Sequence, residues 1–222
     1  MGILVGFLFW QVFKNFSAIG GPAFGWQFLI FSFDLVFKVF FITVLSILFL
    51  TDLKKMFIPD RIILPAILIG VSSLLVITLI KIGYLYYYLT QSPIGQKLLP
   101  PYSDYFQRHA AVTAEPLFFG LLMGLLIGAF FMSLIILTRG KGMGGGDVKL
   151  GAFMGIMLGF PGALLALVLS FLTGAIFSIV LIIAGKKHFG QTIPFGPFLV
   201  IGSLVVLFWG EQILNWYLHL GL

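Results

Sequence analysis

The sequence lacks cysteine and is poor in both charge and histidine. With no cysteine, the chain cannot form disulfide bonds, thiol nucleophiles or Cys-ligated zinc and iron–sulfur centres. Only 9% of the 222 residues are charged, against about 25% in an ordinary soluble domain, so the chain cannot cover itself with a water-facing surface. Its three histidines show no metal-ligand spacing, and we expect neither a metal nor another cofactor.

The sequence is instead rich in hydrophobic residues. They make up 60% of the chain, and several runs exceed the roughly 18 residues that indicate a membrane span. We predict an all-α, polytopic integral membrane protein that forms one membrane-embedded domain over residues 1–222. The net charge of +6 does not indicate nucleic-acid binding, because the basic residues form no stripe and lie mostly between apolar runs. The expected partner of this surface is the lipid bilayer.

Six apolar runs mark the predicted spans, and they fall near 1–19, 30–50, 62–81, 117–138, 150–184 and 193–210. A straight helix over 150–184 would be about 52 Å long, which is too long for a ~30 Å hydrocarbon core. Pro161-Gly162 predicts a break in this run. The break would leave a short helix near 148–160 and a full one near 162–184, giving about seven transmembrane helices.

The basic residues predict the sidedness of these helices. Eight of the thirteen lie in three segments, namely 52–61, 138–149 and 185–190. The positive-inside rule places such segments in the cytoplasm, and all three share one side only if the chain folds back at Pro161. The N-terminus is then cytoplasmic, and residues 82–116 form an extracytoplasmic loop.

Two patterns predict contacts made by the helices. Asp34 and Lys38 lie four residues apart in an apolar run and are expected to pair on one helix face. Small residues recur every four positions in two stripes, which lets helix backbones pack closely. The stripes are Gly120, Gly124 and Gly128, and Gly151, Gly155 and Gly159.

The chemistry available to the chain depends on its seven acidic residues. Asp52 ends one apolar run and Asp147 opens another, and the predicted topology places both at the cytoplasmic membrane surface. Two carboxylates held a few ångströms apart share a proton, because like charges do not both ionise easily at that separation. The ionised member can activate water while the protonated member polarises a peptide carbonyl. Asp52 and Asp147 are therefore the candidate catalytic pair of an aspartyl hydrolase.

Several residues near the two acids have more than one interpretation. The glycines that precede Asp147 can adopt positive φ and leave the backbone bare for an extended substrate. The alternative is a flexible loop in which Asp147 caps the next helix. For Asp60, N-capping of the following apolar run is favoured over chemistry. Lys149 either tunes the charge of the site or anchors the chain at the inner membrane surface.

Three segments together resemble the type IV prepilin peptidases, a family of membrane aspartyl proteases. They are TDLKKMFIPDRIILP at Thr51–Pro65, GxGD at Gly144–Asp147 followed by VKLGAFMG, and IPFGPFLVIG at Ile193–Gly202. The resemblance implies an inner-membrane endopeptidase in which Asp52 and Asp147 are catalytic. Its substrates would be type IV prepilins or pseudopilins, whose short basic leader precedes an apolar helix. Cleavage would follow a leader glycine at the cytoplasmic membrane face.

Nine residues around the pair are candidates for supporting or substrate-contacting roles, the last four of them through the resemblance. These are Gly144, Gly145, Gly146, Asp60, Lys149, Pro194, Phe195, Gly196 and Pro197. Longer family members carry a cysteine-containing N-terminal region associated with N-methylation of the new N-terminus. Because this sequence has no cysteine, N-methyltransferase activity is not expected.

Two other classes of function stay open at the level of sequence. A small transporter or ion pathway would use Asp52, Asp147 and Lys149 as charge relays. Relay groups are expected at mid-membrane depth, whereas these residues lie at the ends of apolar runs. A catalytically inactive membrane scaffold is the other class. The combination of the three motifs favours the peptidase.

Overall fold

The computed structural model describes residues 24–55, 57–140, 143–185 and 194–220, together with Gly6. Its elements are six helices: α1 (Phe24–Lys55), α2 (Asp60–Thr90), α3 (Pro93–Gln96), α4 (Tyr105–Leu137), α5 (Gly145–Ile183) and α6 (Gly196–Leu220). For this part of the chain, the predicted all-α class is confirmed.

Five of the six described helices are long and apolar enough to cross a membrane, the short α3 being the exception. The chain is therefore a multi-pass membrane protein, as its composition predicts. The count of about seven spans is not confirmed. The run predicted to form the first span, 1–19, lies outside the described residues, and α5 counts as one helix by length and composition.

The helix α5 contains a sharp break. Gly159 has φ 58° and ψ −168°, and Phe160 has φ −90° and ψ 140°, so neither residue is helical. The break divides α5 into a first arm, 145–158, and a second arm, 161–183. The φ of Gly159 lies in the left-handed region, which glycine adopts without a penalty because it has no Cβ. The break predicted at Pro161-Gly162 is confirmed to within three residues.

The first arm packs against α4 through the two glycine stripes. A Cβ at Gly155 would lie 2.7 Å from the Cα of Gly124, and one at Gly151 would lie 3.0 Å from Ile127. Residue numbers therefore rise along the first arm while they fall along α4, so the two are antiparallel. The prediction that these glycines serve close packing is confirmed.

The second arm runs in the opposite direction. The rings of Phe160 and Phe119 are 5.8 Å apart, and those of Phe171 and Phe131 are 6.4 Å apart. The second arm is therefore parallel to α4. Two arms that run oppositely along the same helix make α5 a hairpin, as the distribution of basic residues predicts. Both ends of α5 thus lie at the same end of the bundle.

Residues 82–116 contain more helix than the apolar runs indicate. α2 continues to Thr90, and α4 begins at Tyr105. Between them, Ser92 caps the short α3, because its hydroxyl accepts a hydrogen bond from the Gly95 N–H at 2.9 Å. The end of an apolar run shows only where hydropathy falls, whereas a helix continues until a cap ends it, and α4 continues through Pro116. The extracytoplasmic location of this segment stays a prediction.

The predicted pair within α1 is present. Lys38 Nζ lies 2.8 Å from Asp34 Oδ2, so the two charges neutralise each other on one face of the helix. The inner face of α1 carries Phe41, Leu45 and Leu48, which are almost fully buried. Because this face continues one turn further, it determines where Asp52 points.

Candidate active site

Asp52 lies in the last turn of α1, on the face that packs against the rest of the bundle. Leu45 and Leu48 precede it at helical spacing, and both are fully buried. Asp52 continues this stripe, since residues at i, i+3 and i+7 share one face of a helix. Its side chain is consequently only 6% exposed. The packing of α1 thus directs a carboxylate into the protein.

Asp147 lies in the first turn of α5, three residues after the N-cap. The N-cap is Gly144, which has φ −86° and ψ 153°, and its carbonyl accepts a hydrogen bond from the Asp147 N–H at 3.1 Å. The alternative prediction that Asp147 itself caps the helix is therefore wrong.

Gly196, the first residue of α6, lies against both acids. A Cβ at this position would have one carboxylate oxygen from Asp52 and one from Asp147 within 3.6 Å. Any side chain here would overlap the Asp52 carboxylate. The absence of a side chain at 196 therefore permits α1, α5 and α6 to bring the two carboxylates together around one backbone position.

An aromatic cluster supports the turn that precedes Gly196. The ring of Phe195 lies 4.9 Å from that of Phe171 and 5.9 Å from that of Phe131. Phe131 is fully buried, and Phe171 is more exposed. The turn is thus held by α4 and by the second arm of α5. Of the four residues of the third motif, Gly196 lies against both acids, and Pro194, Phe195 and Pro197 flank it in sequence.

The glycines before Asp147 have different surroundings. A Cβ at Gly146 would lie 2.9 Å from that of Ile58, a buried residue in the connection between α1 and α2. Gly144 and Gly145 have no atom of the described residues within 4 Å of that position, so this part of the chain leaves their backbone open. None of the three adopts the positive φ that the sequence suggests. Their contribution is steric, because Gly146 permits packing and the other two leave space.

Asp60 and Lys149 form an ion pair, with Lys149 Nζ 2.5 Å from Asp60 Oδ1. The expected N-cap role of Asp60 is wrong. Pro59 is the N-cap of α2, and its carbonyl accepts hydrogen bonds from the N–H groups of Ile62 and Ile63. Asp60 is one residue further along, where its side chain can reach across to α5. The pair therefore links the start of α2 to the first turn of α5.

Among the described residues, no group of three or more His, Cys, Asp or Glu side chains could hold a metal ion. The two converging carboxylates can instead perform general acid–base chemistry on a bound water molecule. Such chemistry requires a substrate backbone close to both acids, and the open side of Gly144 and Gly145 provides room for one.

Residues 106–179 match the type IV leader peptidase family. The matched range contains nearly all of α4, Asp147 and most of the α5 hairpin. The chain carries a type IV leader peptidase domain. Most of the hairpin and the glycine-lined packing of its first arm thus lie within the matched range.

Curated relatives of this chain share the name prepilin leader peptidase/N-methyltransferase. The protein from Aeromonas salmonicida (strain A449) is 34% identical over 175 residues, which are 79% of this chain and 50% of that protein. The protein from Bacillus subtilis (strain 168) is 26% identical over 191 residues, which are 86% of this chain and 62% of that protein. The chain spans about half the length of the first of these. No solved structure matches the chain significantly.

Sequence reasoning missed three residues that shape the site of the leader peptidase domain. Phe131 and Phe171 support the turn before Gly196, and Ile58 packs against Gly146. A signal for Phe131 existed, because it lies three residues after the last glycine of the α4 stripe and so shares its face. Phe171 carries no such signal, since an aromatic residue in a uniformly apolar helix does not indicate which neighbour it contacts.

Proposed function

We propose that this chain is an aspartyl endopeptidase that removes the short basic leader from type IV prepilins or pseudopilins. The observation that carries the proposal is the convergence of Asp52 and Asp147 on Gly196. The leader peptidase domain and the names of its relatives support the same function. The resemblance in three motifs names the same two acids.

In the proposed reaction the two carboxylates share one proton. The ionised carboxylate takes a proton from water, and the water oxygen attacks the carbonyl carbon of the scissile peptide bond. The protonated carboxylate donates a hydrogen bond to the carbonyl oxygen, where negative charge develops. Collapse of the tetrahedral intermediate breaks the C–N bond, and a proton passes to the leaving amine. The products are a leader with a free carboxylate and a pilin with a new amino terminus.

The proposed location of the reaction is the cytoplasmic face of the inner membrane. Asp52 and Asp147 lie near the ends of helices rather than midway along them. The described basic residues Lys54, Arg61 and Arg139 are exposed and adjoin the same helix ends. Because basic residues concentrate on the cytoplasmic side, this end of the bundle would face the cytoplasm, where the leader of a precursor is found.

The proposed path of the substrate crosses the start of α5. Gly144 and Gly145 leave their backbone uncovered, so an extended leader can lie against them without meeting a side chain. The Gly196 backbone closes the opposite side of the acid pair. A substrate carbonyl between these segments would lie next to both carboxylates, which is the proximity that catalysis requires.

The test is cleavage of a prepilin from the same genome, co-expressed with the intact chain or with Asp52→Asn or Asp147→Asn. Leader loss is followed on a gel, and each variant is quantified in membranes. We expect both variants to lose more than about 1,000-fold in cleavage rate, because removal of one member of a catalytic pair disables the unit. Asp104→Asn is the matched control, since Asp104 makes no side-chain capping bond at the start of α4, and it should cleave normally.

Gly196→Ala extends the same test to the geometry of the site. Its added methyl group would overlap the Asp52 carboxylate, and a misplacement of about 1 Å can cost about 100-fold in rate. Full cleavage by either aspartate variant would refute the aspartyl mechanism. Absence of cleavage by the intact chain would refute the proposed function.

A further inference from the structure

An apolar groove of about 470 Å³ lies between α4 and the second arm of α5. Every residue that lines it is apolar, with Leu122 and Leu126 on the α4 side and Leu164 and Leu167 on the α5 side. Leu126 is 51% exposed and Leu164 is 43% exposed, so the groove opens sideways from the bundle. In a membrane-spanning protein such an opening faces the hydrocarbon core.

The groove exists because aromatic residues separate the two helices at both of its ends. At one end the rings of Phe119 and Phe160 are 5.8 Å apart, and at the other those of Phe130 and Phe171 are 6.2 Å apart. Between these pairs the lining consists of aliphatic side chains, namely four leucines with Met123 and Ile127, and these do not bridge the gap. The order of side chains in the sequence therefore produces the groove, because aromatic residues hold the two helices apart at its ends and aliphatic side chains lie between them.

One end of the groove leads to the two acids. Phe130 lines the groove and contacts Phe171, and the ring of Phe171 lies 4.9 Å from that of Phe195. The next residue, Gly196, lies against Asp52 and Asp147. A continuous series of aromatic contacts therefore connects the groove to the site.

We propose that this groove binds the apolar segment that follows the cleavage site in the prepilin substrate. The inference rests on the proposed function, in which a basic leader is removed from an apolar helix. An apolar helix that is cut at its membrane-surface end must continue into the membrane away from the acids. The groove is connected to the site by these aromatic contacts, continues along α4 and opens towards lipid, so it meets such a helix without any polar group to desolvate.

Distances along the groove indicate which part of the substrate it would hold. The ring-to-ring steps from Phe130 to Phe195 set an upper limit of about two helical turns, or roughly seven residues at ~1.5 Å per residue, on the distance between the groove and the turn beside the acids. The lining of α4 from Phe119 to Phe130 extends over about 16 Å, or roughly three turns, at the same rise. The groove would therefore bind the middle of the apolar segment and leave the residues next to the cut free to be extended.

The test compares two substrates, the full prepilin precursor and a soluble peptide that spans the leader and the cleavage site but ends before the apolar segment. Preference is the ratio of their kcat/KM values. Leu126→Trp fills the groove from α4, and Leu164→Trp fills it from α5. We expect each to lower the preference for the full precursor by roughly tenfold or more, the size of effect that a poorly fitting apolar pocket produces. Leu125→Trp is the matched control. Leu125 is the neighbour of Leu126 in sequence, but it is 71% exposed and does not line the groove, so this variant should retain the preference for the full precursor.

Photo-crosslinking gives a readout that does not depend on turnover. In the Asp52→Asn background, a photoreactive residue at position 126 should form an adduct with the apolar segment of the precursor, whereas one at position 125 should not. An adduct with phospholipid alone at saturating precursor would overturn the docking proposal, as would an unaltered preference in both tryptophan variants. If the intact chain still cleaves the precursor, neither of these results contradicts the proposed peptidase function. If the intact chain cleaves neither substrate, the function and the docking fail together.

Discussion

The two arms of α5 belong to one apolar segment but have opposite surroundings. In the first arm Phe153 and Met154 are fully buried, whereas in the second arm Val168, Leu172 and Ile176 are each more than half exposed. Both arms are strongly hydrophobic, so hydrophobicity does not distinguish them. Lipid is as apolar as leucine, and helices in a membrane therefore associate through shape.

The feature that does distinguish the arms is the spacing of small residues. Gly151 and Gly155 let the first arm approach α4 until their backbones touch, and the arm is enclosed as a result. In the second arm, a Cβ at Gly162 or at Gly174 would lie 3.4 Å from its nearest neighbour, an ordinary separation. The close approach to this arm comes from α6, where a Cβ at Gly202 would lie 2.5 Å from the Ala166 carbonyl oxygen, so the face towards α4 stays open. The first arm is consequently packed tightly and fixes the position of Asp147, whereas the second arm lines one side of an open groove.

The largest expected effect comes from truncating one phenylalanine in each arm. Phe153 is fully buried and contacts Phe41 with ring centroids 5.4 Å apart, so Phe153→Ala should lower the free energy of unfolding by about 3 kcal/mol or more. Phe177 is 48% exposed, and Phe177→Ala should cost about 1 kcal/mol, the value of its ring contact with Phe198. Unfolding by SDS titration in bicelles measures both. Equal losses would show that the two arms are not packed differently.

A smaller effect is expected when a methyl group is added to each arm. Gly155→Ala places its Cβ against the backbone of Gly124, and overpacking of this kind should cost about 1–3 kcal/mol. Gly174→Ala has room for its methyl group and should change stability by less than about 0.5 kcal/mol. The same SDS titration measures the pair. A neutral Gly155→Ala would mean that the stripes do not form the close contact described above.

The glycine pair also illustrates how much of this fold can be predicted from sequence. The stripes, the break near Pro161 and the Asp34–Lys38 pair follow from local spacing, and each is present. Helix ends beyond the apolar runs were not predicted, because hydropathy does not mark where helical hydrogen bonding stops. Thr90 and Tyr105 accordingly lie well inside the predicted loop.

The candidate site was likewise predictable only in part, because some of its features follow from local sequence and others from tertiary packing. Asp52 and Asp147 can be identified because acids are scarce in an apolar chain and the loop charges put both on one side. Their meeting at Gly196 depends on three helices that are distant in sequence, and no local pattern contains that information. The Asp60–Lys149 pair was missed for the same reason, since its partners are 89 residues apart.

The smallest expected effect concerns this Asp60–Lys149 pair, which joins the first arm to α2. The two side chains are 55% and 35% exposed, so their coupling energy should be about 0–1 kcal/mol. A double-mutant cycle with Asp60→Asn and Lys149→Met, read by the same unfolding measurement, gives this value. A coupling above about 2 kcal/mol would show that the ion pair is desolvated and that the first arm depends on charge as well as on shape.

The turn at Gly159 has a consequence for the biogenesis of the protein. Because α5 returns to the side from which it enters, the hairpin adds no net crossing of the bilayer. The helices before and after it keep the orientation that they would have without it, and no charged segment has to be translocated between them. The non-helical backbone at Gly159, with φ 58° and ψ −168°, and at Phe160 thus lets the chain place the buried first arm in the membrane while keeping Asp147 and Gly196 on the same side.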